Sequence, residues 1–460
     1  MSTHIAIDIG GSHGRGYLGV YGNHRLMTKP LGTFSTRPIS ADGCLCWNLA
    51  SMIQGIRDIL WEASLLSPSI DTIAIDTMGV AFVLLDKNNG LICPPVYTRV
   101  PQKSSVKEEI IRFFGAENLY AVTGLEQKKL NSLYYLACLK KSHPEYLAET
   151  AHFLMLPDYL NYLLTGVIKS EYTISTTSNL FDIQRGKWSR ELLSYTGLSE
   201  SAPAEPVQCC SQLGRLRPEF ISSLPLARTM VVNAPAHDTA AAFFSLPALR
   251  GSQLLISSGT WGMVGCISDQ PILTPQALKS GFANEGAAMG KIKFLNNTPN
   301  MSILEECMKT WKEEGLVYSW ETLCEAARNS DIRSIIDLQA SDFLNQGAMP
   351  ERIRSYCRES GQPVPYTPGE TARVVFESIA QSYLGSYRDL VTLTKREFQS
   401  AVILGGASRN AFLVRLIQEA LRIPVTTGSC EAAVMGNLFS QLMASGQATG
   451  LHDFETMAAL

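Results

Sequence analysis

Short apolar runs bounded by glycine alternate along the chain with longer segments whose apolar residues recur at i, i+3, i+4 and i+7. Runs of the first kind have the length and branching of buried strands, and the second period is that of a helix with one apolar face. The pattern predicts strands over His4 to Ile9, Gly16 to Tyr21, Thr72 to Ile75, Val80 to Leu85, Met230 to Asn233, Leu254 to Ser257, Met263 to Ile267 and Ala401 to Leu404. It predicts helices over Trp47 to Ser64, Leu130 to Lys141, Ile303 to Glu314, Thr371 to Leu393 and Ala411 to Arg422. Such alternation is that of an α/β protein. A loop-rich stretch from Ser199 to Pro225 separates two halves, so the expected division is 1–233 and 234–460. The halves begin alike. Ile5 to Ile9, a Gly10 to Gly14 turn and Arg15 to Val20 form strand, glycine turn and strand, and Leu254 to Ser258, Gly259 to Gly262 and Met263 to Ile267 repeat the plan. Two lobes built on one plan, facing each other across a cleft, are expected.

Composition narrows the function classes. The 460 residues are 45% hydrophobic and 18% charged, which excludes a disordered or fibrous chain and allows two or three domains. With 39 Lys and Arg against 42 Asp and Glu, the net charge is −3. There is no basic surplus for nucleic acid and no polybasic block for an anionic membrane, so the expected partner is a small molecule. No run of 18 apolar residues occurs, and the first residues lack the basic-then-apolar plan of a signal peptide, which points to the cytoplasm. The 11 cysteines are scattered without paired Cys-x-x-Cys spacing, as reduced, mostly buried thiols would be.

Three glycine turns carry candidate chemistry. Gly10 to Gly14 and Ser258-Gly259-Thr260 sit at matching places in the halves, and each can offer several backbone N–H groups to a phosphate, since glycine permits positive φ and close approach. The third, Leu404 to Asn410, leads from a strand into a helix and suits either a flat adenosine or a plain connection. Gly14, Gly16 and Gly19 satisfy G-x-G-x-x-G, but a strand rather than a helix follows them, so no dinucleotide site is expected. The P-loop pattern is missing. Asp8, ending the first strand, can hold Mg²⁺ beside a phosphate or cap the turn. Arg15 is a phosphate contact or a solvated strand residue. Asp238 opens an alanine-rich helix; it suits an N-cap, and equally a rigidly held carboxylate that takes a proton from an attacking hydroxyl. His237 beside it can hydrogen-bond a polyol.

Taken in order, Asp8 to Arg15, Ile75 to Asp86, Leu156 to Leu160, Leu163 to Gly166, Glu171 to Thr173, Ala236 to Thr239, Ser257 to Trp261, Asn284 to Gly286 and Leu404 to Gly406 resemble the FGGY sugar kinases over nearly the whole chain. Tyr356 to Gln362 and Gly369 to Ala380 point to the branch of that family that phosphorylates the 1-hydroxyl of L-rhamnulose. The resemblance implies the two-lobed fold of actin, hexokinase and the Hsp70 ATPase, which is ribonuclease H-like, with a duplicated mixed-sheet domain. It implies ATP and Mg²⁺ as cofactors, a small sugar as substrate, and a monomer or homodimer. It further implies Asp238 as general base, with Gly11, Ser12, His13, Gly14, Arg15, Thr260, Glu305 and Gly406 around ATP. Gly79, His237, Asp238, Thr239 and Asn297 are implied to line the sugar site. Four departures stand out: Met78 and Ala81 replace a usual aromatic and carboxylate, Tyr97-Thr98-Arg99 stands where Tyr-Arg-Asp is usual, Glu305 replaces a glutamine and Ala407 a third glycine. The first two fall in the part that handles the sugar, so another ketose or polyol, such as L-fuculose or a ketopentose, is an open substrate. A degenerate relative that only binds sugar or nucleotide is the alternative outside enzymes.

Overall fold

The computed structural model describes residues 1–41, 43–100, 102–221, 224–246, 253–343, 347–450 and 453–454. Its frame is a pair of six-stranded mixed sheets. The first is built from β1 (Ser2–Ile9), β2 (His13–Gly22), β3 (Arg25–Ser35), β4 (Thr72–Thr77), β5 (Ser211–Arg215) and β6 (Met230–Asn233), in the order β5-β6-β4-β1-β2-β3. The second comprises β7 (Gln253–Ser258), β8 (Trp261–Ser268), β9 (Phe282–Gly286), β10 (Ile292–Pro299), β11 (Ser400–Leu404) and β12 (Val425–Thr427), in the order β9-β10-β8-β7-β11-β12. In each, an antiparallel meander of three strands continues through two parallel strands added beside its first. The duplication seen in the glycine hairpins therefore extends to the sheet order. The sixth strand differs: β5 extends the parallel edge of the first sheet, β9 the meander edge of the second.

The alternation along β1 shows what each face does. Ile5, Ile7 and Ile9 are fully buried against α1 (Leu49–Leu66). Their neighbours His4, Ala6 and Asp8 turn to the opposite face, toward the second lobe. That face is lined by small residues, Ala6, Ala74 and Val232, so helices can approach it closely. Two do: α2 (Asp238–Phe244) and, from the end of the chain, α7 (Ala432–Ala444). Val434 and Leu438 of α7 pack on Ala6 and Tyr17. Asn437 and Gln441, both fully buried, donate to the carbonyls of Ala74 and Ile5 at 3.2 and 3.0 Å. On its other side the pair meets the second sheet, where Leu255 packs with Phe243, Phe244 and Phe439. The far face of that sheet is covered by α3 (Met301–Glu313), α4 (Trp320–Arg328), α5 (Pro368–Thr394) and α6 (Ala411–Leu421) around one large apolar cluster. The 27-residue α5 starts on Pro368 behind a Thr367–Glu370 capping box.

Most expected elements lie within two residues of their observed bounds. The strand expected from Val80 begins only at Phe82, because Val80 is left-handed at φ 65° and the chain turns there. The stretch from Ser199 to Pro225 is more than a connection. Its segment β5 pairs antiparallel with β6 and is the edge of the first sheet.

Candidate active site

Asp8 and Asp76 end adjacent parallel strands and stand opposite each other in register. Both emerge on the interlobe face, where Asp238 begins α2 just past a bridge between Thr77 and His237. Asp8 is almost wholly buried, and the Arg15 guanidinium reaches its Oδ2 through Nη2 at 2.8 Å and Nε at 3.0 Å. The arginine is thus the cross-strand partner of this carboxylate, a geometry that neither of its sequence readings contained. Asp76 is fully buried; its Oδ2 accepts from Asn437 Nδ2 at 2.7 Å, and its Oδ1 has no partner among the described residues. Burial, then the charges of Asp8 and Asp238, push its pKa well above the carboxylate range. Asp238 lies deep in the cleft yet keeps a third of its side chain open. Burial and the Asp8 charge raise it to about 6, against the opposing pull of Lys293 and the Thr239 hydrogen bonds. It occupies the first helical position rather than the cap, and its Oδ1 accepts from the Thr239 amide at 2.6 Å and hydroxyl at 3.1 Å.

His237 is clamped from several sides. Its amide donates to Thr173 Oγ1, the preceding Ala236 amide to the buried Glu171 carboxylate, and the Ala236 carbonyl accepts from Thr77. Its ring lies between Asp238 and a Lys293 with no exposed surface, and Lys293 pairs with Glu285 at 3.0 Å. Gly79 lies against Thr177 and the His237 ring; a Cβ there would stand 3.4 Å from Nε2. Gly79, His237, Asp238 and Thr239 therefore line one wall. Asn297 is on β10, four residues beyond Lys293 and so on the same face of the strand. Met78 and Ala81 are both buried in the apolar cluster of the first lobe, and Thr98 is buried beside Trp47 Nε1 at 3.4 Å.

Each hairpin turn is closed by a glycine N–H, that of Gly10 donating to the His13 carbonyl three residues on and that of Gly259 to the Trp261 carbonyl two residues on, both at 3.0 Å. The expectation of positive φ fails here: no glycine of either turn is left-handed. A Cβ on Gly11 would fall 2.0 Å from the Arg99 guanidinium, and one on Gly14 2.1 Å from the Phe34 ring. Ser12 and His13 form the exposed tip. In the second turn Ser258 is turned inward, its hydroxyl held by Asn300 at 2.8 Å and Tyr383 at 2.9 Å, which leaves Gly259 and Thr260 to face the cleft. The third turn does use a left-handed residue, Gly405 at φ 86°, whose Cβ would meet the Ser258 carbonyl at 2.7 Å. Thr260, Glu305 and Gly406 share the wall of a cavity of about 860 Å³, together with Trp320, Arg328 and Asn410. Thr260 Oγ1 donates to Glu305 Oε1 at 3.2 Å.

Among the described residues no cluster of three metal-ligating side chains is preformed. Asp8 nevertheless suits a hard cation that takes one or two carboxylates and fills its shell from phosphate oxygens and water. The charge of Asp8 raises both Asp76 and Asp238, and a cation beside it would relieve that repulsion.

Sequence reasoning passed over Asp76, Arg99, Glu285, Lys293 and Asn437. Two of them carried a readable signal. Asp76 ends an apolar strand as Asp8 does, and Lys293 interrupts the apolar run Ile292 to Leu295, where an unpaired charge would be costly. Asn437 looks like any polar residue of a surface helix. No described helix is long and apolar enough to cross a membrane.

Residues 33–245 match the family model described as the N-terminal domain of the FGGY family of carbohydrate kinases, and residues 254–445 that of its C-terminal domain. A rhamnulokinase of Halalkalibacterium halodurans is 32% identical over 447 residues, covering 97% of this chain and 94% of its own. One of Yersinia pestis is 34% identical over 457 residues, covering 99% and 93%. Among solved structures, a ligand-bound xylulose kinase from Lactobacillus acidophilus superposes with a TM-score of 0.82 at 15% identity, over 100% of this chain and 92% of its own. Plasmodium falciparum glycerol kinase with ADP reaches 0.82 at 12% identity with the same coverage.

Proposed function

The chain belongs to the FGGY family of carbohydrate kinases, and on that premise we propose that it transfers the γ-phosphoryl group of ATP to a ketose hydroxyl, converting L-rhamnulose to L-rhamnulose 1-phosphate. The observation that carries the mechanism is Asp238, a carboxylate raised to about 6 and part-open in the cleft between the two hairpin turns. At neutral pH it is ionised but a stronger base than a free carboxylate, as a general base should be. In this reading Asp238 orients the 1-hydroxyl and takes its proton as the oxygen attacks the γ-phosphorus. The new O–P bond forms as the bond to the bridging oxygen breaks, and ADP leaves. Gly79, His237, Thr239 and Asn297 hold the sugar. Gly11 to Arg15 hold the phosphates from the first lobe, residues 1–233; Thr260, Glu305 and Gly406 hold the nucleotide from the second, residues 234–460. Asp8 would hold a Mg²⁺ ion, which when bound would supply charge neutralisation for the transferring group. Most of the rate gain comes from alignment and from fixed charges in a cleft that excludes water.

The choice of sugar rests on relatives named rhamnulokinase at 32–34% identity over nearly their full length. Coupled measurement of ADP release over a panel of ketoses and polyols tests it. The expected result is a kcat/KM for L-rhamnulose at least tenfold above that for L-fuculose, D-xylulose or glycerol; a higher value for any of these would overturn the sugar, and no sugar-dependent ADP release would overturn the kinase. Met78, Ala81 and Thr98 are all buried, and none supplies a charge to the cleft.

Arg99, one position past the usual arginine, lays an exposed guanidinium on Gly11 and has no ion-pair partner among the described residues. Its role in this reading is to meet phosphate oxygens, which it can bind in a bidentate manner. Arg99→Met should therefore lower kcat/KM for ATP by about tenfold, with the Tm unchanged because the side chain is exposed. Unaltered ATP kinetics would remove it from the site.

A further inference from the structure

Under Asp238 lies a row of buried groups that the phosphoryl transfer described above does not use. The Lys293 ammonium stands 2.9 Å from His237 Nδ1, and the Glu285 carboxylate 3.4 Å from the same nitrogen. The ammonium has only hydrogens to give, so Nδ1 must be the acceptor, and the neutral ring then carries its proton on Nε2. Nε2 stands 3.3 Å from Asp238 Oδ1, the oxygen that already accepts both Thr239 donors. Oδ2 receives no protein donor among the described residues.

We propose that Lys293 and Glu285 are positioning residues for the sugar kinase reaction: Glu285 anchors the buried ammonium, the ammonium fixes the His237 tautomer, and the Nε2–H so presented biases Asp238 to face the acceptor hydroxyl through Oδ2. The inference rests on the reading of Asp238 as the base. It is a division of labour between the lobes, since Glu285 and Lys293 belong to β9 and β10 of the second sheet while the His237 backbone is tied to the first. Charge supports it. Burial and the neighbouring ammonium hold the imidazole down at about 3, so it stays neutral at working pH. The same ammonium, with a smaller contribution from Lys128, holds Glu285 at about 2 despite its burial. The other titratable groups near this wall, among the described residues, are Asp238 itself, Asp8 and Asp76 behind it and Glu171 under the Ala236 amide, the last raised to about 7 by burial. Removing the ammonium leaves the ring between the carboxylates of Glu285 and Asp238, and both favour the imidazolium.

The test is the ¹⁵N spectrum of histidine-labelled protein together with steady-state kinetics. In the wild type, His237 is expected as the Nε2–H tautomer, without titration from pH 5 to 8. In Lys293→Met the ring should be protonated at pH 7, kcat should fall ten- to a hundredfold with KM for ATP within threefold, and the acid limb of kcat should move to lower pH as the new cation makes Asp238 a weaker base. Lys293→Arg keeps a cationic donor and should return the proton to Nε2. Should Lys293→Met fail to fold around an unpaired Glu285, the double variant Lys293→Met/Glu285→Leu removes both charges, and His237 should then titrate above its wild-type value yet below the ordinary imidazole range, because its burial remains. A wild-type ring protonated on Nδ1 or charged at pH 7 would overturn the inference, as would a folded variant with the wild-type kcat and acid limb. The spectrum needs no turnover, so a wild type that phosphorylates no sugar would refute the kinase reading separately.

Discussion

Asp238→Asn is expected to lower kcat by about 10³-fold, near the middle of the range for loss of a general base and equivalent to roughly 4 kcal/mol of barrier. The amide has the shape of the carboxylate and can still accept from the Thr239 amide and hydroxyl, so the start of α2 should be unchanged. What it cannot do is take a proton. The wild type should also lose rate about tenfold per pH unit below about 6, where Asp238 becomes protonated, while the variant should show no such limb. The stability sign runs the other way. A carboxylate whose pKa is raised by folding favours the native state in its protonated form, an advantage present below its unfolded value and lost as pH rises through about 6. At pH 8 a neutral asparagine should therefore leave the Tm equal to or above that of the wild type. Sugar-dependent ADP release from pH 5 to 8, with a melting curve at each end, checks all three statements. Turnover within threefold of wild type would remove Asp238 from the role.

A second large effect is expected far from any charge. Gly436 of α7 packs on α2 so closely that a Cβ would stand 1.8 Å from the Ala241 carbonyl oxygen and 2.6 Å from its carbon. The obstacle is backbone, which no rotamer change can move. Gly436→Ala must drive α7 and α2 apart, at a cost of about 3 kcal/mol or more. The melting temperature should fall by roughly 3 °C or more. Both helices carry parts of the cleft, Asp238 on one and the Asn437 that holds Asp76 on the other, so kcat should drop more than tenfold as well. Gly385, exposed in the middle of α5 with nothing within 4 Å of its would-be Cβ, is the matched control. There the same substitution should be stabilising by about 0.5–1 kcal/mol through helix propensity alone. Equal melting temperatures for the two variants would show that the helices are not held at this contact.

Much of the site could be read from the chain because its pieces are local. A glycine turn between two strands, a carboxylate ending an apolar run and an aspartate opening a helix each leave a mark within ten residues, so Asp8, Asp238 and the three turns were all identifiable. The reasons assigned to them were less secure. Gly14 of the first turn and Gly262 of the second serve close packing, with Phe34 and Tyr383, rather than left-handed backbone, since what lies within 3 Å of a would-be Cβ is set by distant residues. The Ser258 hydroxyl is turned from the cleft and held by Asn300 and Tyr383.

The sequence by itself determined the elements, their alternation, the duplicated hairpin and the absence of a basic surface, because periodicity and composition are properties of short segments and simple sums. Tertiary structure alone decided which charges meet. Asp76 finds Asn437 across 361 residues, and His237 finds Lys293 across 56. Helix α7 settles on the first sheet because Ala6 and Ala74 leave room for it, and its own Gly436 lets it lie against α2. A pKa of about 6 at Asp238 follows from that assembly: it needs burial between two lobes and the charge of Asp8 nearby, neither of which the residues around Asp238 specify.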